Sequence, residues 1–541
     1  MPTDTPPTPP APDPGAGPGR TLLGSWMAPA LLAVAAAALF ALYTDNAWED
    51  FYITFRCSKN LVEGNGLVFQ PGERVHAFTS PLGVLLPAAT YWVTGAKSAL
   101  AALGLFRALS ILCLGAAAAL LWKTAERLQV GAAGRWIAVA LVFTESKVVA
   151  FSINGMETGV LLFFAALLLH SLCRDPGSRG VTLATAVSFA GLMWTRPDAF
   201  VFCGAACVAM AIFVVERRSM GAWLRSVAVA VVIGGLLYLP WFAWAWWYYG
   251  SPVPHTIVAK SVYSPGVGLM GKTLLLPLRI FAGTSHANRA FTPALAELGG
   301  WPTPVLLVDR AVMIAAAFLW IAPGWNRLGR ALSLAFLVGC FYLNAIPSAP
   351  WYFPIWTLLG ASAVAIALAD LARRGGSIRP AALALAACLV AYQAGIFGLV
   401  ARQMRVKQDC IENGLRMQVG LWLREHAAPT DTVYLEPLGY IGYFSGLKML
   451  DFPGLASPEV VREIRSGHTT DAALIGALHP DWVVLRDKQI LNITSASKEL
   501  DAYRYVLSWD AEPLLERHPR LPGKGMMYFD SRFTLYRRIR H

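Results

Sequence analysis

The sequence predicts a polytopic α-helical membrane protein with about eleven transmembrane helices and a C-terminal extracytoplasmic α/β domain. The composition is the first observation: 56% of the 541 residues are hydrophobic and only 14% are charged, against about 25% charged in a typical soluble domain. Apolar segments recur along residues 26–401, whereas residues 402–541 have the composition of a soluble domain. The net charge of +12 is spread over small groups rather than one patch, which excludes nucleic-acid binding.

Residues 1–25 are predicted to form a disordered cytoplasmic tail because they are rich in Pro and Gly. The apolar run that follows is too long for a signal-peptide core and has no clean cleavage site behind it, so we interpret it as a retained first helix. A span needs about 20 mostly apolar residues. The candidate spans lie near 26–43, 104–123, 135–152, 158–173, 180–194, 199–215, 226–248, 305–324, 331–346, 350–371 and 380–401.

The basic residues between these spans predict the topology. They group in alternate loops, on the same side as Arg20: Lys123 with Arg127 and Arg135, Arg174 with Arg179, Arg217 and Arg218 with Arg225, Arg327 with Arg330, and Arg373 and Arg374 with Arg379. The positive-inside rule then places the N-terminus in the cytoplasm and residues 402–541 outside. The apolar stretch 80–95 would invert this order if it spanned the membrane. It is short and contains Pro87, so we predict a juxtamembrane or re-entrant helix there.

The segments whose residues could bind a substrate or catalyse a reaction all fall on the predicted extracytoplasmic side: the first loop at 44–103, the tips of several helices, and the C-terminal domain. In that domain "TVYLE", "WVVLR" and "YRYVLSW" predict strands, and "SPEVVREIRSG" and "TDAALIGAL" predict helices, the first with Ser457 as its N-cap. Recognition or reaction is therefore expected on the outer face.

The first loop opens with two adjacent acids, Glu49 and Asp50, at the head of a predicted amphipathic helix over 49–62. One face carries the side chains expected to contact lipid: Phe51, Phe55 and Val62. Another face steps down through Asp50, Thr54 and Ser58 and would hold the Asp50 carboxylate toward a cavity. Simple capping of the helix by the two acids is the alternative, and the spacing leaves it open.

Other ionisable residues stand at the outer tips in "INGMETG", "WTRPDAF" and "YYGSPVPHTIVAK". Each alone has a local explanation, such as an ion pair or a snorkelling lysine. Together with "WEDFYITFRCSKNLVEGNGLVFQPGERVHAFTSPLG" and "EPLGYIGYFSGLKMLDFPGL", they resemble the family of the mycobacterial terminal arabinofuranosyltransferase. More distantly they resemble the GT-C membrane glycosyltransferases, including protein O-mannosyltransferases. The resemblance covers most of residues 45–460.

The resemblance implies a GT-C-like catalytic domain at 26–401 that moves a sugar from a polyprenyl-phosphate donor to an acceptor hydroxyl. Asp50 is then the expected catalytic base, with Glu49 assisting or capping, although the family usually has Asp-Asp there. The donor phosphate would be bound by Arg196, Lys260 and His255, where the family often has Asn at the last position. Glu157, Asp198, Arg56 and His76 would orient substrate. Tyr440 and Tyr443 would stack against sugar or, equally, fill the α/β core. The family's Arg-Tyr-Phe is replaced by "WYF" at 351–353.

The implied partners are a polyprenyl-phosphate-sugar, a glycan or glycoprotein acceptor, and the lipid bilayer of a bacterial plasma membrane. Arabinofuranose is the expected sugar, with a hexosyl or protein O-glycosylating enzyme as the alternative within the class. No cofactor is required, and the residue spacing leaves a divalent metal open. A transporter or flippase for a lipid-linked sugar, or a non-catalytic assembly factor for a surface organelle, are the alternatives from other classes. Transporters carry charges near the membrane midplane; here Glu145 and Lys147 are the exceptions and are expected to pair.

Overall fold

The computed structural model describes residues 25–263, 273–346 and 348–539. The predicted tail therefore lies, but for its last residue, outside the described residues. The described residues before 408 form these sixteen α-helices: α1 Met27–Thr44, α2 Glu49–Val62, α3 Pro81–Val93, α4 Ala99–Arg127, α5 Ala132–Phe143, α6 Ser146–Ile153, α7 Thr158–Leu172, α8 Arg179–Thr195, α9 Phe200–Phe213, α10 Met220–Tyr249, α11 His255–Tyr263, α12 Leu276–Ala282, α13 Thr303–Phe318, α14 Arg327–Ala345, α15 Pro354–Arg373 and α16 Ile378–Lys407.

Seven helical segments in the described ranges are long and apolar enough to cross a bilayer, or eight if the bent pair α5–α6 is one span. Three further apolar helices are shorter, at 10–17 residues: α3, α7, and α9 with its leading turn. The chain is thus a multi-pass membrane protein, as predicted. The count of about eleven spans stays a prediction.

The predicted span at 135–152 is wrong as a single straight helix. α5 and α6 meet at a bend of 54°, and Glu145 stands at the break as the N-cap of α6. Its Oε2 accepts a hydrogen bond from the Val148 amide at 2.8 Å, which lets α6 begin there. The predicted pairing is confirmed, because Lys147 Nζ lies 3.1 Å from Glu145 Oε1.

α2 runs over the predicted residues, but its apolar side chains are not where the sequence placed them. Phe51 and Phe55 are fully buried in the protein, so the expectation that they face lipid is wrong. Gly155, at φ +95°, leaves the space that the Phe51 ring occupies, since a Cβ there would lie 2.4 Å from the ring. The stretch at 80–95 forms α3, a 13-residue helix capped by the Ser80 hydroxyl at 2.8 Å from the Gly83 amide.

The predicted domain boundary at residue 402 falls inside a continuous helical rod. α16 continues through a π-helical segment, Gln408–Arg416, into α17 Met417–His426. A five-stranded sheet follows, in the order β2-β1-β3-β5-β4, with β1 parallel to β2 and β3, and β5 antiparallel to β3 and β4. The remaining elements are β1 Thr432–Leu435, α18 Leu438–Ser445, β2 Lys448–Asp451, α19 Pro458–Arg465, α20 Asp471–Leu478, β3 Trp482–Leu485, α21 Asp487–Ala496, β4 Tyr503–Asp510, α22 Glu512–Glu516, α23 Gly525–Phe529 and β5 Arg532–Arg538.

The α/β domain confirms the predicted class, its three strands and its two helices. The prediction missed β2 and β5. Ser457 is the N-cap residue of α19, as predicted, but its side chain makes no capping hydrogen bond there. Its hydroxyl lies 2.7 Å from Asp451 Oδ1 and closes the turn after β2 instead.

Candidate active site

The start of α2 is fixed by contacts from other membrane helices. The Arg107 guanidinium on α4 donates to the carbonyls of Asn46, at 2.6 Å, and Ile153, at 2.8 Å. The Trp48 amide donates to the Asn154 carbonyl at 2.8 Å. Because these bonds order the backbone on either side of the turn into α2, Glu49 and Asp50 have a defined position where α2 meets the C-terminal domain.

Two cavities meet at Asp50. The larger one, of about 370 Å³, lies between the membrane helices and the C-terminal domain, and the smaller one, of about 60 Å³, lies between α2, the loop before α3, and α11. Among the described residues that line both cavities, Asp50 is the ionisable one; the others are Ile53, Trp351 and Leu455. Asp50 therefore stands where contents of the two spaces could meet.

Glu49 and Asp50 have different partners. Glu49 accepts a hydrogen bond from the Gly439 amide in the first turn of α18, and a Cβ at Gly439 would lie 2.0 Å from the Glu49 carbonyl oxygen. Burial raises the pKa of Glu49 to about 8, an effect that Arg416 opposes and Asp50 reinforces. Burial also raises the pKa of Asp50, but the charge of Lys260 and a side-chain hydrogen bond from Glu49 act against it.

The smaller cavity contains four of the predicted residues: Asp50, Glu157, Arg196 and Lys260. Arg196 is already paired, with two nitrogens 3.1 Å from the Asp198 carboxylate and a third 3.5 Å from Glu157 Oε1. Its guanidinium also lies 4.1 Å from the centre of the Tyr352 ring. Asp198 thus holds the Arg196 guanidinium in place. Within the described residues, Lys260 makes no ion pair closer than 4 Å, so its charge is the one available to a ligand.

The two predicted histidines lie behind the smaller cavity, and the described lining residues include neither. The His255 amide donates to the His76 carbonyl at 2.9 Å, and the His76 ring stacks on Tyr249 with centroids 4.4 Å apart. Burial lowers the pKa of His76 to about 3, so its imidazole is neutral near pH 7. Burial and the charge of Arg465 also lower the pKa of His255.

Arg56, Tyr440 and Tyr443 serve the contact between α2 and the C-terminal domain rather than the lining of either cavity. The buried Arg56 guanidinium donates to the carbonyls of Gly442, Gly446 and Leu447 and to the Gln70 side chain. Tyr440 and Tyr443 pack on the Tyr52 ring, with centroids at 4.4 and 4.9 Å. The two tyrosines thus belong to an aromatic cluster with α2 and not to the α/β core in which the second reading placed them.

The sequence did not point to the ionic network that closes the larger cavity. Arg416 lies at the end of the π-helical segment and binds Glu412 at 3.0 Å and Asp530 at 2.5 Å. Arg486 donates to the other oxygen of Asp530 at 2.6 Å and is paired with Glu436. The i, i+4 spacing of Glu412 and Arg416 was a usable signal, but nothing local links either residue to Asp530.

No group of three or more His, Cys, Asp and Glu residues with metal-ligand geometry occurs in the described ranges. The arrangement that does occur combines a carboxylate at the meeting point of two cavities, an available ammonium beside it, and a larger space under a folded domain. It can accept a proton from one ligand while neutralising negative charge on another.

The fold is that of GT-C membrane glycosyltransferases, which confirms the predicted class. The oligosaccharyltransferase AglB from Archaeoglobus fulgidus matches with a TM-score of 0.53 at 12% identity, over 90% of this chain and 73% of that one. ArnT from Cupriavidus metallidurans, solved with undecaprenyl phosphate, matches with a TM-score of 0.52 at 13% identity, over 94% of this chain and 97% of that one. At such identities the likeness concerns the fold alone.

Two curated relatives confirm the resemblance stated from the motifs. Both are named terminal β-(1→2)-arabinofuranosyltransferase. The Mycobacterium tuberculosis protein is 27% identical over 336 residues, covering 55% of this chain and 47% of its own. The Corynebacterium glutamicum protein is 28% identical over 275 residues, covering 45% of this chain and 37% of its own. The chain thus matches less than half the length of these relatives. Residues 402–536 also match a family described as a domain of unknown function, DUF8728.

Proposed function

We propose that this protein is a glycosyltransferase that moves a sugar, arabinofuranose, from a polyprenyl-phosphate donor to a hydroxyl of a glycan or glycoprotein acceptor on the extracytoplasmic face. The observation that carries the proposal is the position of Asp50 where the two cavities meet, beside Lys260. The relatives named as arabinofuranosyltransferases support the choice of sugar. The structural neighbours determined with undecaprenyl phosphate and dolichol-phosphate support a lipid-phosphate donor.

In the proposed reaction the Asp50 carboxylate takes the proton of the acceptor hydroxyl as its oxygen attacks the anomeric carbon. The new carbon–oxygen bond forms as the bond from that carbon to the donor phosphate breaks, and the polyprenyl phosphate leaves with the electron pair. Attack opposite the leaving group inverts the anomeric centre. A phosphate leaving group needs countercharge rather than a proton, so no second acid of the glycosidase kind is needed.

The surroundings of the two acids support Asp50 as the base. With a pKa of about 8, Glu49 carries its proton near neutral pH, and its two oxygens then have separate tasks. One accepts from the Gly439 amide, and the protonated one would donate to Asp50, whose pKa such a bond lowers. This donor and the charge of Lys260 both favour an ionised Asp50. Glu49 is accordingly proposed to position the base and to dock α18.

Lys260 is the proposed principal partner of the donor phosphate. Arg196 already shares its charge between two carboxylates, and a phosphate would have to compete with Asp198 and Glu157. The lysine ammonium makes no ion pair closer than 4 Å within the described residues, and it lines the same small cavity as Asp50. The donor would then occupy the smaller cavity and its bilayer side, while the acceptor would enter through the larger one.

The proposal is tested by transfer of radiolabelled arabinofuranose from a synthetic polyprenyl phosphate to a glycan acceptor. Wild type is compared with Asp50→Asn, which is expected to lose activity more than about a hundredfold. Glu63→Gln is the matched control, because it neutralises an acid at the opposite end of α2 that lines neither cavity. An Asp50→Asn enzyme as active as wild type would refute the base assignment.

Running the assay with EDTA and then with Mg²⁺ or Mn²⁺ decides whether transfer requires a divalent metal.

One observation favours the transporter alternative. The helix break between α5 and α6 carries Glu145 and Lys147 inside the membrane part, and broken helices with buried charges are typical of transporters. Transfer of sugar by the purified protein separates the two functions. A protein that moves lipid-linked sugar across vesicles but transfers none to any acceptor would be a transporter.

A further inference from the structure

A second polar cavity lies inside the membrane part, away from Asp50 and its partners. Its volume is about 30 Å³, and it is lined by residues of α5, α13, α15 and α16 together with Glu145 at the α5–α6 break. Its polar lining consists of Glu145, Asp309, Tyr392 and Gln393. A space of this size holds one water-sized particle, which excludes any organic ligand.

The charges around this cavity balance only if Asp309 holds a proton or a cation. Lys147 is 3.1 Å from Glu145 Oε1 and also donates to the Thr292 carbonyl, so its charge is matched to Glu145. Asp309 is the second carboxylate beside this pair. When Asp309 is ionised, two carboxylates and one ammonium leave one negative charge in a region where uncompensated charge is strongly disfavoured.

Asp309 has one oxygen occupied and one without a partner. Its side chain is only 5% exposed, and its Oδ1 accepts a hydrogen bond from the Tyr392 hydroxyl at 2.6 Å. Within the described residues its Oδ2 has no hydrogen-bond partner. A proton on Oδ2 would be a buried donor with no acceptor, whereas a small cation is satisfied by a carboxylate oxygen directly.

The helix break supplies a second attraction for a cation. α5 ends at Phe143, and a helix C-terminus carries partial negative charge and carbonyl groups without intrahelical partners. Leu141, in the last turn of α5, lines the cavity, and Gln393 donates its amide to the Thr144 carbonyl at 3.3 Å. Broken membrane helices bind Na⁺ through such exposed carbonyls and neighbouring carboxylates.

We propose that this cavity binds one small monovalent cation, Na⁺, between Asp309, Glu145 and the C-terminal end of α5. A monovalent ion balances the single excess charge, which a divalent ion would exceed. The site holds the bent span together by joining α5 and α6 to α13. It is independent of the proposed glycosyl transfer, since it shares no lining residue with either cavity at Asp50.

The test is thermal unfolding of the full-length purified protein, followed by tryptophan fluorescence, at constant ionic strength with NaCl replacing choline chloride. Na⁺ is expected to raise the unfolding temperature in a saturable way. Asp309→Asn is expected to raise the half-saturating Na⁺ concentration at least about tenfold. Ala361→Val keeps every charge but fills the cavity, in which Ala361 is a lining residue, and is expected to have the same effect.

Asp370→Asn is the matched control, because Asp370 is an acid of α15 that pairs with Arg373 away from the cavity. It should keep the wild-type Na⁺ response. An unfolding temperature that ignores Na⁺ in wild type would overturn the proposal. So would a Na⁺ response that survives both Asp309→Asn and Ala361→Val, or stability that depends on pH through Asp309 but not on Na⁺, since a proton would then occupy the site.

Discussion

Glu49 and Asp50 are neighbours in the chain, and burial raises the pKa of each carboxyl. What separates them is what each contacts: Glu49 meets the backbone of α18, while Asp50 meets the charge of Lys260. Coupled acids of this kind divide into a proton carrier and an ionised partner. The roles we propose for the pair therefore follow from their contacts, which adjacent positions in a sequence do not reveal.

The division of roles between Glu49 and Asp50 predicts that the transfer activity decreases at alkaline pH. Transfer should rise with pH as Asp50 loses its proton, and fall above about pH 8, the pKa of Glu49, because ionised Glu49 no longer donates to Asp50 and repels it. Glu49→Gln still donates through its amide but cannot ionise. We expect this variant to keep activity above pH 8 where wild type declines, measured as kcat/KM between pH 6 and 10. Glu63→Gln should keep the decline; a decline that persists in Glu49→Gln would assign it to another group.

At the scale of elements, periodicity predicted most helices because it reports which face is apolar. It gave both ends of α2, where acids begin the helix, but it could not say whether Phe51 and Phe55 met lipid or protein. Both surroundings are equally apolar, so the pattern is the same. β2, with the sequence KMLD, contains no β-branched or aromatic residue, and β5 is rich in arginine, so neither had a strand signature strong enough to detect.

The contacts of Arg56 on α2 lead us to expect that its replacement lowers the free energy of unfolding. Its side chain is 5% exposed and makes four hydrogen bonds, three of them to carbonyls of the α18–β2 region. Arg56→Met removes the charge and takes the guanidinium donor away from the carbonyls of Gly446 and Leu447, which should cost roughly 2–4 kcal/mol. The measurement is thermal or denaturant unfolding followed by fluorescence.

Arg74→Met is the control for that variant. Arg74 is exposed in the loop between α2 and α3, and its guanidinium lies 5.1 Å from the centre of the Tyr248 ring. Its loss should change the free energy of unfolding by less than about 1 kcal/mol. If the two variants were equally stable, the Arg56 contacts would not hold α2 to the C-terminal domain.

At the scale of the whole molecule, the sequence indicated the ionisable residues around the smaller cavity but not the ionic network around the larger one. Asp50, Glu157, Arg196 and Lys260 each follow the end of a membrane helix, and the predicted topology puts these four ends on one face. Arg416, Arg486 and Asp530 come together through the packing of the helical rod on the sheet. No periodic pattern encodes such contacts between distant segments. The ionic network around the larger cavity was therefore not predicted from the sequence.

The contacts of Asp530 indicate how the helical rod of α16, the π-helical segment and α17 is held to the sheet. Burial alone would raise its pKa, but Arg416 and Arg486 outweigh burial and hold the pKa below its ordinary value. A carboxyl with a lowered pKa contributes stability that is fully present above about pH 4 and is lost as the pH falls below that. Asp530→Asn removes this contribution at neutral pH and leaves two buried guanidinium groups facing each other, at a cost of roughly 3–5 kcal/mol.

We expect Asp530→Asn to unfold at a lower temperature than wild type at pH 7, with the difference narrowing as the pH falls below about 4. Hydrogen exchange should show faster opening of α18 and of the π-helical segment, since both border the contact that Asp530 closes. Asp510→Asn is the control, because Asp510 forms a half-exposed pair with Arg532 on the outer strands and should change stability by less than about 1 kcal/mol. Equal unfolding temperatures for Asp530→Asn and wild type would mean that the C-terminal domain is held by apolar packing alone, and that the ionic network serves only to line the larger cavity.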